Sequence, residues 1–370
     1  MGEAWTRGAR VAHVSSVHAW TDNRVHYREA ASLARRGFEV TLVAVDGPVD
    51  GPDAGVRVVK APRRGRLARV VFGSVQAVRS ALATGAEIYH LHDPELAWAV
   101  PLLRALGKKV IYDAHEDFPV QVLNKPYLRR AAVPFAVAGA HAALALARRA
   151  NHVIAATETI ARRFPAAKTS VVHNYPPLRQ AEHRAAPVLE RDLAAVYIGA
   201  LSPIRGARVM AEAAASPLFP AGWELRVAGR LEGGLREADL PAVAYLGELP
   251  PDAARDALLR ARVGLVLFAD TEAHRHALPT KMFEYFAAGL PVIASDFPLW
   301  RQILQEGDCG TAVDQTSPDA VARAVARYAD DPALLARHGA NARRLAVDRL
   351  NWDREEEVLA AAYRAVLARN

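Results

Sequence analysis

Short β-branched runs alternate with Ala-, Leu- and Arg-rich helical stretches along nearly the whole chain, and no other feature constrains the fold as much. Strands are expected at 10–16, 38–45, 56–61, 88–92, 109–113, 152–157 and 170–173. A helix is expected at 24–36, stopped by Gly37, which accepts the left-handed conformation of a helix cap. Strands separated by helices pair in parallel, because each crossover returns the chain to the same end of the sheet, and helices then cover both faces. The rhythm breaks after Asn174. Tyr175-Pro176-Pro177 and a charged, alanine-rich stretch to Arg191 show no strand pattern and are expected to link two domains. It restarts with strands at 195–200, 224–228, 243–246, 263–268, 291–294 and 310–313. The final helix, from near Trp352, places Val358, Leu359, Ala362 and Tyr363 on one face.

The length of 370 residues suits two such domains. The expected division is a first α/β domain at 1–174, a linker at 175–191, a second α/β domain at 192–350 and a terminal helix at 351–370. Ligands of doubly wound sheets bind beyond the carboxyl ends of the strands.

Composition narrows the setting. Cys309 is the single cysteine, so no internal disulfide can form, in keeping with a reducing, cytoplasmic setting. The N-terminal residues have no apolar core of the signal-peptide kind. The longest apolar stretch, 131–147, is mostly alanine and too short to span a bilayer, and is expected to be a buried helix. Arg129, Arg130, Arg148 and Arg149 flank it, which leaves a peripheral contact with an anionic membrane at its inner face open. The net charge of +7 favours anionic partners. With no zinc-finger spacing and no aromatic-basic interleaving, nucleic acid is not expected among them.

The most informative stretch runs from His276 to Asp296. Pro279 and Thr280 suit a helix start, with Thr280 a candidate N-cap, and Lys281 and Glu284 then lie three residues apart on one face. First-turn amides and the helix dipole favour an anion there. Lysine adds a full charge, and glutamate one turn later is placed to accept two ribose hydroxyls. The competing reading is a surface salt bridge between the two.

This stretch resembles the nucleotide-binding motif of the family-4 (group 1) retaining glycosyltransferases, which have the GT-B fold. The resemblance implies two Rossmann-like domains facing a central cleft, with the last helix, from Trp352, crossing back to the first. It assigns the nucleotide ribose to Glu284. Members commonly carry a second glutamate seven residues earlier, and His276 stands at that position. The stretch Tyr197-Ile-Gly-Ala-Leu-Ser-Pro-Ile-Arg-Gly206 is similar to the family's diphosphate loop. Arg205 falls on its lysine, Ala200 replaces its arginine, and Gly199 lies within it, so Lys281 is the compensating cation. In the first domain, Asp22 and Arg24 resemble the loop before the first helix, and equally suit a helix-capping pair. His115, in Tyr112-Asp-Ala-His-Glu116, matches the family's active-site histidine near the donor sugar. Asp22, Arg24, His92 and Glu116 are expected on the acceptor or cleft side, while His90 and His92 also suit structural roles, His92 being the one of the two to face the cleft.

The resemblance implies a sugar transferase that takes a nucleoside-diphosphate sugar, with a uridine nucleotide favoured and a guanosine one possible, and an acceptor that is a glycan, a lipid-linked glycan or a small molecule. It implies Arg205, Lys281 and His115 as catalytic residues, and no cofactor. The clustered His, Asp and Glu at 89–93 and 111–116 raise metal binding as a competitor, though no metal is expected, because transfer on this fold generally needs none. An epimerase on the same fold and a non-catalytic subunit are the alternative functions.

Overall fold

The computed structural model describes residues 8–47, 53–63, 65, 68–123, 133–178 and 186–368. The chain forms two compact units, Met1–Asn174 with Trp352–Asn370, and Tyr175–Asn351.

The first unit is built on seven parallel strands: β1 (Arg10–Ala19), β2 (Glu39–Val45), β3 (Arg57–Ala61), β4 (Ile88–Leu91), β5 (Lys109–Ala114), β6 (His152–Ala155) and β7 (Thr169–Val171). Their order is β3-β2-β1-β4-β5-β6-β7, reversing direction of growth at β1 as a doubly wound sheet must. β1 and β4 are neighbours, with His13 opposite His90.

The expected first helix is in fact composite. A π-helical segment, Asn23–Ala30, runs into the α-helix α1, Ala31–Arg35. Asp22 caps it, accepting from the backbone amides of Arg24 and Val25, which fulfils the capping reading of this residue. A π-helix stacks residues five apart rather than four. It thereby brings Arg24 Nη2 to 3.0 Å from Glu29 Oε1, a pairing that a regular α-helix would splay apart. Gly37 ends the element with φ of 90°, the left-handed value anticipated for it.

The C-terminal helix, Trp352–Ala368, completes the core of this first unit. Its Trp352 Nε1 donates to Ser32 Oγ at 2.8 Å, Glu356 accepts from Arg35 and Arg36 at 2.9 Å each, and the Tyr363 ring is fully buried.

One expectation fails here. The apolar stretch forms a helix, Val133–Ala147, but only Ala140, Leu144 and Ala147 are buried, and Phe135 is 81% exposed. Alanine leaves so little side chain to bury that an alanine-rich helix can lie on a surface with only a narrow stripe in contact. Among the described residues no helix is long and apolar enough to cross a membrane.

The second unit carries six parallel strands: β8 (Ala194–Ile198), β9 (Glu224–Ala228), β10 (Ala244–Tyr245), β11 (Val263–Val266), β12 (Val292–Ser295) and β13 (Gly310–Val313). Their order is β10-β9-β8-β11-β12-β13, the same winding repeated. Two helices position its chemistry: α2 (Ala207–Ala215) after β8 and α3 (Thr280–Ala287) after β11. α3 is fixed by Tyr285, whose hydroxyl accepts from the Ile198 amide at 2.9 Å. Its ring passes so close to β11 that a Cβ at Gly264 would lie 2.3 Å from it. All thirteen expected strands are present in the two sheets, with ends displaced by at most three residues. Of the expected linker, residues 179–185 lie outside the described residues; Tyr175 is buried in the second unit against Phe283.

Candidate functional site

In the second unit Gly199, Arg205 and Lys281 come together at the carboxyl end of β8. Gly199 follows that strand with φ of 138°, and a Cβ there would fall 2.8 Å from Lys281 Nζ. Only glycine leaves room for the ammonium group against the loop. Lys281, in the first turn of α3, donates to the Tyr197 hydroxyl at 2.7 Å. Its Nζ also lies 4.1 Å from the centre of the Tyr197 ring and 5.3 Å from that of Phe268. Burial, reinforced by the charge of Arg205 and only partly offset by that of Glu284, lowers the lysine pKa to about 7. A surface Lys281–Glu284 pair is thereby overturned as a reading of this lysine.

Arg205 ends a short 3₁₀ turn, Pro203–Arg205, and is 37% exposed, held by the Ala200 carbonyl at 3.4 Å and by Glu232 at 3.7 Å. Gly206 follows at φ of 74°, where a Cβ would lie 2.5 Å from the Leu267 carbonyl oxygen, so the turn is pressed against the chain just beyond β11. Thr280 is the first residue of α3 rather than its cap: Pro279 holds the cap position and makes no side-chain cap bond, because its ring carries no polar atom. Glu284 is half-buried one turn along. His276 is exposed and closes the short helix Glu272–Arg275. A cavity of about 260 Å³ opens beside these residues, lined by Ile198, Gly199, Ala200, Gly229, Arg230 and Glu248 among others. A larger one, about 480 Å³, lies along β13 between Arg301, Arg327 and Arg337, away from every expected site residue.

In the first unit Asp113 organises the expected residues. Its Oδ2 accepts from His115 Nδ1 and His92 Nδ1, both at 3.1 Å, and Arg24 clasps both carboxylate oxygens at 3.2 and 2.8 Å. Burial alone would raise the Asp113 pKa; the charge of Arg24 and the hydrogen bonds of His115 and His92 hold it well below the usual range. The bond to Asp113 fixes the proton of neutral His115 on Nδ1 and leaves Nε2 as its free lone pair. His115 is 16% exposed.

His92 and Arg24 correct the expectation that they lie on the acceptor side. Both are buried, His92 bonded to His13 at 2.9 Å and Arg24 to Asp113, Glu29 and the Val172 carbonyl. Glu116 is exposed and Asp22 half-buried. Residues not singled out by sequence are brought in: His18 stacks edge-on to His115 at 5.0 Å, bonds Asp22 at 3.1 Å and lies 3.5 Å from Asp93. Burial opposes its charge, but Asp22 and Asp93 win and raise its pKa to about 9. Its place four residues before Asp22 was the available signal.

Residues 23–175 match Glycosyltransferase Family 4, and residues 193–331 match Glycosyl transferases group 1. The chain belongs to the group 1, family-4 glycosyltransferases. An 87-residue stretch of this glycosyltransferase is 33% identical to the lipopolysaccharide core biosynthesis mannosyltransferase LpcC of Rhizobium leguminosarum bv. viciae, covering 24% of this chain and 25% of that protein. The match therefore spans a quarter of the length of its curated relative. Solved structures agree on the fold. Sucrose-phosphate synthase from Thermosynechococcus elongatus superposes with a TM-score of 0.73 at 18% identity, over 98% of this chain and 100% of that one. HepE of Anabaena, solved in complex with UDP-glucose, gives 0.69 at 14%, over 96% and 99%. WaaG, a glycosyltransferase involved in lipopolysaccharide biosynthesis, gives 0.68 at 14%, over 95% and 99%. The two Rossmann-like units are those of GT-B glycosyltransferases.

Proposed function

We propose that this glycosyltransferase moves a sugar from a nucleoside-diphosphate sugar to a glycan or lipid-linked acceptor with retention of anomeric configuration. The observation that carries the proposal is Lys281: a lysine in the first turn of α3, seated on Tyr197 beside the glycine loop, with Arg205 in the same loop. A diphosphate there would meet a full charge, a second cation and the amides of the helix start.

Transfer on the same face needs no covalent nucleophile. As the bond from anomeric carbon to phosphate oxygen lengthens, negative charge gathers on the diphosphate, where Lys281 and Arg205 counter it. The departing phosphate oxygen takes the proton of the acceptor hydroxyl that forms the new glycosidic bond. Fixed donors of this kind are each worth about 3 kcal/mol to a transition state. Glu284 is assigned to the ribose hydroxyls. His115, its tautomer set by Asp113, is assigned to the sugar. HepE binds UDP-glucose and LpcC is a lipopolysaccharide core mannosyltransferase, which support a UDP-sugar first and a GDP-sugar second, and an acceptor in glycoconjugate synthesis.

Calorimetry with UDP and GDP, followed by turnover of a panel of nucleotide sugars on lipid-linked and free glycans, tests the reading. Binding of neither nucleotide would overturn it. Proton NMR of the product anomer tests retention. His115→Ala should lower turnover while leaving nucleoside diphosphate affinity unchanged.

A further inference from the structure

Four side chains that this transfer chemistry does not use meet inside the first unit. They are His13 on β1, His90 on β4, His92 just beyond it, and Glu29 on the π-helical segment. All four are fully buried, and one donor atom from each can be chosen so that all lie within 4.8 Å of one another. Four-coordinate zinc, with bonds of about 2.0–2.1 Å to imidazole nitrogen and carboxylate oxygen, sets its ligands about 3.3 Å apart. His13 Nδ1 and His92 Nε2 already lie 2.9 Å apart.

Two features distinguish the cluster from an ordinary polar core. The first is what lacks a partner. Both Glu29 oxygens and His90 Nε2 are buried with no hydrogen bond; Arg24 Nη2 approaches Glu29 Oε1 as an ion pair at 3.0 Å, and His90 and His92 come no nearer than 3.8 and 4.0 Å to Oε2. A buried carboxylate left so is costly, and a cation relieves it. The second is what holds the rings from outside. His92 gives its Nδ1 proton to Asp113, and His90 Nδ1 is bonded to the Tyr363 hydroxyl at 2.9 Å. Metal-binding histidines are oriented in this way, one nitrogen held by a carboxylate or other polar partner and the other left for the ion.

We propose that His13, Glu29, His90 and His92 bind one divalent transition metal, for which three imidazoles and a carboxylate favour zinc. Four protein ligands and no solvent access describe a structural site rather than a catalytic one. The ion would tie β1 and β4 to the π-helical segment, and through Tyr363 and Asp113 to the C-terminal helix and β5. It takes no part in sugar transfer.

The test uses the full chain carrying an affinity tag without histidine. Elemental analysis of the purified protein should find one equivalent of metal that survives dialysis. A strong chelator should remove it and lower the melting temperature. Cobalt(II) added to the stripped protein should bind one equivalent and give the intense visible absorption of tetrahedral coordination. Glu29→Gln and His90→Ala should each lose that spectrum, and His274→Ala, outside the cluster, should keep it. The proposal is overturned if wild-type protein neither retains metal nor takes up cobalt, or if both cluster variants still bind it. A protonated-carboxyl stretch in the infrared, present in metal-free wild type and absent from Glu29→Gln, would then identify a proton as what balances Glu29.

Discussion

Lys281 Nζ lies 2.7 Å from the Tyr197 hydroxyl and over the face of the same ring, a seat that lowers the lysine pKa to about 7. A bound diphosphate would favour the charged form and raise that pKa again. Nucleotide binding near pH 8 should therefore take up a proton, and affinity should fall as pH rises above about 7. Calorimetry in two buffers of different ionisation enthalpy reads the proton directly. Lys281→Ala should abolish the buffer dependence, and wild type without any would remove the lysine from the diphosphate site.

Glu284→Ala should weaken nucleotide binding with the fold intact. Loss of charge-assisted hydrogen bonds to the ribose costs about 1.5–3 kcal/mol, on the order of tenfold to a hundredfold in Kd. A 2′-deoxy nucleotide, which lacks one of the two hydroxyls, should discriminate less between wild type and variant than the ribonucleotide does.

His18 gives a stability signature. Its folded pKa, about 9, lies above the ordinary 6.5, so the folded state holds the proton more tightly. The resulting stabilisation is complete below about pH 6.5 and is lost as pH rises through 9. Lys281, with a folded pKa below its ordinary value, makes stability rise with pH from about 7 to 10.5, against His18. The measurement is thus a difference: the stability gap between wild type and His18→Asn, from denaturant titration, should shrink from pH 6.5 to 9. A constant gap would show that Asp22 and Asp93 do not hold a charged His18.

Two glycines should answer oppositely to alanine. At Gly264 the added Cβ would meet the Tyr285 ring at 2.3 Å, and the ring is held by the Ile198 amide. Overpacking there should cost about 1–3 kcal/mol and loosen α3, weakening nucleotide affinity as well. Gly139, inside the surface helix Val133–Ala147, has nothing within 4 Å. Gly139→Ala should stabilise by about 0.5–1 kcal/mol. Thermal unfolding of both variants checks the pair.

The sheets were legible because β-branched runs spaced by helices leave few alternatives, and the place of Lys281 in a helix start was legible from Pro279 and Thr280, whereas Arg205 was singled out only by the family resemblance. What escaped depended on strand order. His13 and His90 are 77 positions apart and become partners only because β4 lies beside β1. Asp113 looked like one more acidic residue at a strand end until His92, His115 and Arg24 were found on it. The pairing of Arg24 with Glu29 required a π-helix, which the 3.6-residue period cannot suggest. The helix at 133–147 was misjudged because alanine satisfies a core and a surface equally well.

The C-terminal helix belongs to the first unit although all of the second precedes it in the chain. On the ribosome, the amino-terminal sheet therefore emerges without Tyr363 over His13 and His90, and without Trp352 on Ser32. It must wait, with that seam open, while 177 residues of the second unit, Tyr175–Asn351, are made. The inserted unit has no such debt and can finish folding first. Vectorial synthesis thus sets an order: the first unit cannot be completed until the second has been made, and a chain stalled before Trp352 lacks the helix that seals the first.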